Sequence, residues 1–254
     1  MVNVRFNTEQ TRACFTVSNP KGNVITADIV SALRAGLESI ARNPHLKLVT
    51  IEGDGVDFSF GASLPEHAPD RIGDVLPEMH ALIDEMLEAP AVTAAVVRGR
   101  CLGGGFELAL ACDFIFAEMD ATFGLPEVAL GVFPPAAAAL LPPRVGYARA
   151  TQAIITGEPL SADHWMSYGL IDLLAHPGEL DGAVDHWFSV HLAPRSATAL
   201  RYAAAAARAG LQAHVRATLP VLERLYLDDL MRTHDAGEGI AAFLAKRKPV
   251  WNDL

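Results

Sequence analysis

Apolar residues recur at helical spacing after Thr26, at Ile29, Leu33, Leu37 and Ile40. This pattern predicts a helix that starts from an N-cap at Thr26 and runs to about Arg42. Residues 4–6 and 13–17 ahead of it read as strands, and the Asn-Pro-Lys-Gly-Asn run at 19–23 supplies turn chemistry. The run 46–51 is apolar enough for a buried strand and closes on Gly53-Asp54-Gly55. A second helix is expected over about 74–88, ending near Pro90, and a third apolar strand over 91–97 runs directly into Cys101-Leu-Gly-Gly-Gly-Phe-Glu107. A helix beginning near Gly104 and a strand over 114–117 follow. Strand, glycine turn, helix, strand is an α/β order, and repeated β-β-α units fit it better than a sandwich.

From about Pro134 the pattern changes. Ala, Leu and charged residues dominate, strand signals nearly vanish, and 194–210, 213–229 and 234–246 each read as a helix. A boundary near residue 190 divides a 1–190 core from a 191–254 helical region. The alanines at 203–207 lack the bulk for a thick core and suit close packing, with a neighbouring subunit as the expected partner.

Composition narrows the class. The 254 residues are 51% hydrophobic and 20% charged, enough for a real core. The net charge of −10 argues against a nucleic-acid partner. No apolar run is long enough for a membrane span, and the start has no basic and apolar leader pattern. Cys14, Cys101 and Cys112 form no CxxC pair and nine histidines are scattered, so neither a disulfide framework nor a metal site is expected, and a cytoplasmic setting fits. His67, beside Glu66, reads as a surface residue.

Glycines 103–105 lie between an apolar strand and a helix without a polar cap. Free backbone N–H groups at such a corner can hold an oxyanion or a phosphate. A tight turn with close helix–strand packing accounts for the glycines equally well. Glu107 and Glu127 are single acids in apolar stretches, Phe106-Glu-Leu-Ala-Leu110 and Phe123-Gly-Leu-Pro-Glu-Val-Ala-Leu130. Two desolvated carboxyls have the ingredients of an acid–base pair, although periodicity does not bring them together in space.

The run 98–113 resembles the second oxyanion loop and helix of the enoyl-CoA hydratase/isomerase (crotonase) superfamily. Asp57-Phe-Ser-Phe-Gly-Ala62 resembles its first oxyanion loop, 122–131 the segment bearing its second acid, and Phe243-Leu-Ala-Lys-Arg-Lys248 the closing element that reaches a neighbouring subunit's CoA. The resemblance implies a spiral of β-β-α units with a C-terminal helical oligomerisation region, and a homotrimer or dimer of trimers. It implies that the N–H groups of Ala62 and Gly104 bind a thioester oxygen. Glu107 would take a proton from water and Glu127 would deliver one to carbon. Lys21, Phe60, Ala62, Phe243 and Lys246 would contact the CoA of an acyl-CoA substrate, with no separate cofactor. Asp113 reads as a structural cap.

The sequence departs from the family at three places. Phe133-Pro-Pro-Ala-Ala stands where hydratases carry Pro-Gly-Ala-Gly-Gly, Ser63 replaces an Asp, and Pro65-Glu66 replaces a basic residue. Phe58-Ser-Phe-Gly-Ala-Ser63 together with the proline-rich loop resembles the cyclic dienoyl-CoA hydratases of anaerobic benzoate degradation. Both acids favour a hydratase over a Δ3-Δ2 enoyl-CoA isomerase, which needs one. A non-catalytic CoA-ester or RNA-binding member of the fold is the other alternative.

Overall fold

The computed structural model describes residues 1–20 and 22–253. The main sheet holds β1 (Val2–Phe6), β2 (Arg12–Val17), β3 (Leu48–Gly53), β4 (Val92–Val97), β6 (Phe114–Glu118) and β9 (Leu173–Ala175), in the order β1-β2-β3-β4-β6-β9. Only β1 is antiparallel to its neighbour. Every residue of β4 is buried, as a central strand covered on both faces should be.

A second layer is built from shorter pieces. β5 (Arg100–Leu102) pairs with β7 (Thr122–Gly124), and β7 with β8 (Leu160–Ser161). Single bridges join Ile25 to Ala62 and Ser59 to Cys101. Each turn of the chain thus gives one strand to the main sheet, one segment to the second layer, and then a helix. These helices are α1 (Ala27–Ile40), α2 (Ile72–Leu87) and α3 (Gly104–Leu110). This is the expected spiral of β-β-α units. Thr26 caps α1 as predicted, accepting the Ile29 N–H, and Glu66 accepts the Ala27 N–H at 3.0 Å from the second layer. The acid that replaces the family's basic residue therefore closes a helix end.

The region after 134 contains α4 (Pro135–Val145), α5 (Tyr147–Thr156), α6 (Ala162–Ser167), α7 (Leu180–His191), α8 (Ala197–Arg224) and α9 (His234–Leu244). The expected break between two helices at 210–213 does not occur: α8 runs through both Gly210 and Pro220 for 28 residues. Alanine-rich flanks have high helix propensity, and neither a cap nor a turn signal near Gly210 offers the chain an alternative. The helix then widens into a π-turn over Leu225–Asp229. β8 and β9, two and three residues long, are too short to show a period. No described helix is long and apolar enough to cross a membrane.

Most buried side chains form one cluster between the main sheet and α1–α4, and Val215 and Leu219 of α8 belong to it. A second cluster covers the other face, where Val96 and Phe116 meet Leu180 and Val184 of α7. The boundary near 190 thus falls between helices that pack on the same sheet.

Polar clamps set the position of α8. Arg208, 4% exposed, meets Asp113 through Nε–Oδ1 (2.7 Å) and Nη2–Oδ2 (2.5 Å) and donates to the carbonyls of Ala89 and Ala91 at 2.6 and 2.7 Å. Asp113 also accepts the Thr93 N–H at 2.9 Å, so it joins α8 to β4. Arg144 donates to the carbonyls of Leu110, Cys112 and Asp113, closing the C-terminus of α3. Arg208→Ala strands Asp113 and several carbonyls together. Urea unfolding is expected to show a loss of about 3–5 kcal/mol.

Candidate active site

The glycines between β5 and α3 do three different things. Gly103 has φ +48°, and a Cβ there would lie 2.5 Å from Glu127 Oε1, so any side chain would both strain the turn and displace that carboxyl. Gly105 lets α3 press on Ser59, whose Cβ would be 2.5 Å from a Cβ at 105. Gly104 lies against the first loop: a Cβ there would be 3.2 Å from both Ala62 N and Ala62 Cβ. The two earlier readings of the run, packing device and anion corner, thus apply to different glycines.

The amides of Ala62 and Gly104 are neighbours and unspent. Around Ala62, Ile25 N donates to Gly61 O and Ser63 N to Ile25 O, which leaves the Ala62 N–H pointing away from that ladder. Gly104 is the first residue of α3, where an N–H has no intrahelical acceptor. Among the described residues neither donates to a protein acceptor. Ser59 fixes the first loop from below, donating to Asn23 O at 2.8 Å and accepting the Gly61 N–H at 3.0 Å.

Glu107 leaves the first turn of α3, 7% exposed, and its Oε1 accepts the Ala137 N–H at 2.9 Å. Ala137 lies in the first turn of α4, so the Pro-Pro-Ala segment that departs from the family pattern supplies the donor that holds this acid. Glu127 sits on a 3-10 turn, Pro126–Leu130, ended by Gly131 at φ +73°. Its Oε2 is buried without a hydrogen-bond partner.

Burial pushes Glu107 up to about 7, against the pull of the Ala137 and Ala136 amides. Glu127 is pushed up to about 8, first by burial and then by the charge on Glu107. Of the two, Glu107 is the more readily ionised and Glu127 the more readily protonated. One carboxyl can then act as a base while the other is an acid. Both flank the two free amides, because Gly103 touches Glu127 while Gly104 begins the helix that carries Glu107.

The chain as a whole has known counterparts. The family model for enoyl-CoA hydratase/isomerase matches residues 7–254. The chain belongs to the enoyl-CoA hydratase/isomerase family. Among curated relatives, a cyclohexa-1,5-dienecarbonyl-CoA hydratase of Thauera aromatica is 43% identical over 237 residues, 93% of this chain and 91% of that protein. A crotonyl-CoA hydratase of Syntrophomonas wolfei is 30% identical over 97% of this chain and 96% of its own. The crystal structure of an enoyl-CoA hydratase from Mycobacterium avium subsp. paratuberculosis K-10 matches with a TM-score of 0.88 at 28% identity, covering 99% of this chain and 98% of that one.

The remaining candidates are spread across this enoyl-CoA hydratase/isomerase fold. Phe60, 38% exposed, is two residues before Ala62; Arg100 lies over its ring at 4.0 Å and is itself held by both oxygens of Asp57. Phe243 is 57% exposed at the end of α9, and Lys246 is exposed just beyond it. That helix packs on the 3-10 turn of its own chain, where the carbonyl of Leu130 meets the bare Cα of Gly239. Lys21 lies outside the described residues. His67, expected at the surface, is half-buried with Nδ1 3.0 Å from Ser63 O. No described group of His, Cys, Asp or Glu could hold a metal ion. Two open hollows, about 320 and 520 Å³, lie elsewhere and contain none of these groups.

The raised carboxyls make stability depend on pH. A group whose pKa is higher in the folded chain stabilises it below the unfolded value, here 4.5, and that contribution is lost as pH rises through 7 to 8. Glu127→Gln is therefore expected to melt above the parent chain at pH 8.5, by on the order of 2 kcal/mol, with no difference at pH 4.5. Melting curves across that range check it, and a pH-independent difference would contradict the assignment.

Proposed function

We propose that the chain adds water to a conjugated enoyl-CoA thioester. The observation that carries this reading is the pair of buried carboxyls, Glu107 and Glu127, beside two unspent amides. The thioester oxygen accepts from the N–H groups of Ala62 and Gly104, which draws electron density from the far end of the conjugated double bond. Ionised Glu107 takes a proton from water as the new C–O bond forms there. Protonated Glu127 gives its proton to the enolate carbon as the charge returns from oxygen. The pair then holds one proton as before, on the other member, and passing it back resets the site. An isomerase needs one shuttling acid, and the retention of two favours hydration.

The acyl group we assign is cyclic, cyclohexa-1,5-diene-1-carbonyl-CoA, as in the degradation of aromatic acids. This is supported by 43% identity to the Thauera relative against 30% for the crotonyl-CoA hydratase, and by the Phe133-Pro134-Pro135 loop beside Glu127. Phe60, Ala62, Phe243 and Lys246 are assigned to CoA, and no cofactor is required beyond the CoA that the substrate carries. The exposed face of α8, with Tyr202, Ala203 and Ala206, is assigned to a homotrimer or dimer of trimers. Three free cysteines, Cys14, Cys101 and Cys112, fit a cytoplasmic enzyme.

Glu107→Gln and Glu127→Gln are each expected to lower kcat by about 10²–10⁴ while CoA-ester binding stays within a few-fold. Near-native turnover in either variant rules out the two-acid mechanism. Loss of the conjugated thioester absorbance, followed with cyclohexa-1,5-diene-1-carbonyl-CoA and with crotonyl-CoA, is expected to favour the cyclic substrate by at least about tenfold in kcat/KM. A preference for crotonyl-CoA would overturn the cyclic assignment and leave the hydratase reading standing.

A further inference from the structure

One buried side chain beside the two acids has no role in the steps above. Ile72 and Leu76 of α2, Val132, Met231 and Ile240 form a small separate apolar cluster, and Tyr226 is buried among them at 2% exposure. A buried phenol normally finds a hydrogen-bond partner. Among the described residues the Tyr226 hydroxyl has none. Nor is its oxygen sealed in protein as Glu127 Oε2 is.

The backbone aims this ring. Tyr226 lies in the π-turn that closes α8, a widening that recurs at functional sites. One turn earlier, Glu223 Oε2 lies 2.6 Å from His80 Nδ1 on α2. His80 is one turn beyond Leu76, which packs in the cluster with Tyr226. The α2–α8 contact is therefore pinned in one register, and Tyr226 faces inward. Its ring meets Phe133 edge-on, with centroids 5.4 Å apart. Phe133 follows Val132, whose N–H donates to Glu127 O at 3.2 Å, and precedes the turn whose Ala137 N–H holds Glu107. The phenol thus sits against the short segment that joins the supports of both acids. Burial, then the charges of Glu107 and Glu127, raise its pKa further, so it is a donor at any working pH.

We propose that the Tyr226 hydroxyl is a third polar group of the reaction chamber, donating a hydrogen bond to the oxygen that enters as water and stays as the product hydroxyl. The role follows from the chemistry, and it rests on the hydratase reading. As Glu107 removes a proton, that oxygen gains negative character and accepts more strongly, while the wall around it is otherwise apolar. The phenol keeps its own proton throughout, so no extra transfer step is required.

Tyr226→Phe removes only the oxygen. Calorimetric titration would compare 2-hydroxycyclohexane-1-carbonyl-CoA with cyclohexane-1-carbonyl-CoA, and 3-hydroxybutanoyl-CoA with butanoyl-CoA. The variant is expected to bind the hydroxylated member of a pair about tenfold more weakly and the other within twofold. In turnover, kcat is expected to fall about tenfold with KM for the enoyl-CoA unchanged. Equal weakening of both members, as a merely structural role would give, overturns the proposal, as does unchanged affinity for both hydroxylated ligands. Binding is read without turnover. A parent chain that fails to hydrate either enoyl-CoA would overturn the hydratase reading while the ligand pairs still report on the Tyr226 contact.

Discussion

Two carboxyls buried within reach of each other's charge are the constraint around which the rest of the structure is arranged. Desolvation alone disfavours each charge, and the second charge is disfavoured again by the first. The fold does not neutralise them with a basic residue: among the described residues, the donors that reach either carboxyl from elsewhere in the fold are the amides of Ala137 and Ala136, both on Glu107. An ion pair would have held both ionised and made neither an acid. Amides on one carboxyl break the symmetry instead, leaving Glu127 the more easily protonated of the two.

Such a pair is costly, so the stabilising interactions lie around it. α3 is seven residues long, and every residue in it is buried. Its N-terminus must keep amides free, so it cannot be capped there, and its C-terminus is closed by the three bonds from Arg144. Arg208 and Asp113 then join the longest helix to the strand that leads into α3. These buried charges are fully partnered, in contrast with the two acids. The guanidinium groups of Arg144 and Arg208 are satisfied by carbonyls and by Asp113, whereas Glu127 Oε2 is left without a partner.

Much of this was legible in the residues, but not how they meet. Glu107 and Glu127 stand out as lone acids in apolar runs, and periodicity alone finds the first two helices and the longer strands. Their meeting depends on β5 and β7, three residues each, which carry no readable period but lie side by side, Leu102 opposite Gly124. The three glycines look alike in sequence, and only the neighbours Glu127, Ala62 and Ser59 separate their roles. The unbroken α8 was hidden because Gly210 is a breaker in isolation, a local preference that packing overrides. Tyr226 gave no signal at all: a tyrosine among leucines and arginines reads as helix surface until the π-turn rotates it inward.

The C-terminal residues reach back to the turn that carries Glu127. After α9 the chain turns back on itself: Arg247 pairs with both oxygens of Glu238, the Val250 N–H donates to Glu238 at 2.7 Å, and the amides of Asn252 and Asp253 donate to Asp235 at 2.9 Å. Both carboxyls are held below the usual range by these partners, Glu238 at about 2, so the strap persists well into acid. It lays the Trp251 ring across Gly131 and Gly239, 3.1 and 3.0 Å from where their Cβ atoms would be. Gly131 ends the turn that carries Glu127, and Gly239 receives the Leu130 carbonyl from that same turn. The acid with the unpartnered oxygen therefore has only its own amide as a donor to its carboxyl, but its backbone is gripped by residues 235–253. Position is supplied by packing so that the carboxyl itself can remain free to exchange a proton.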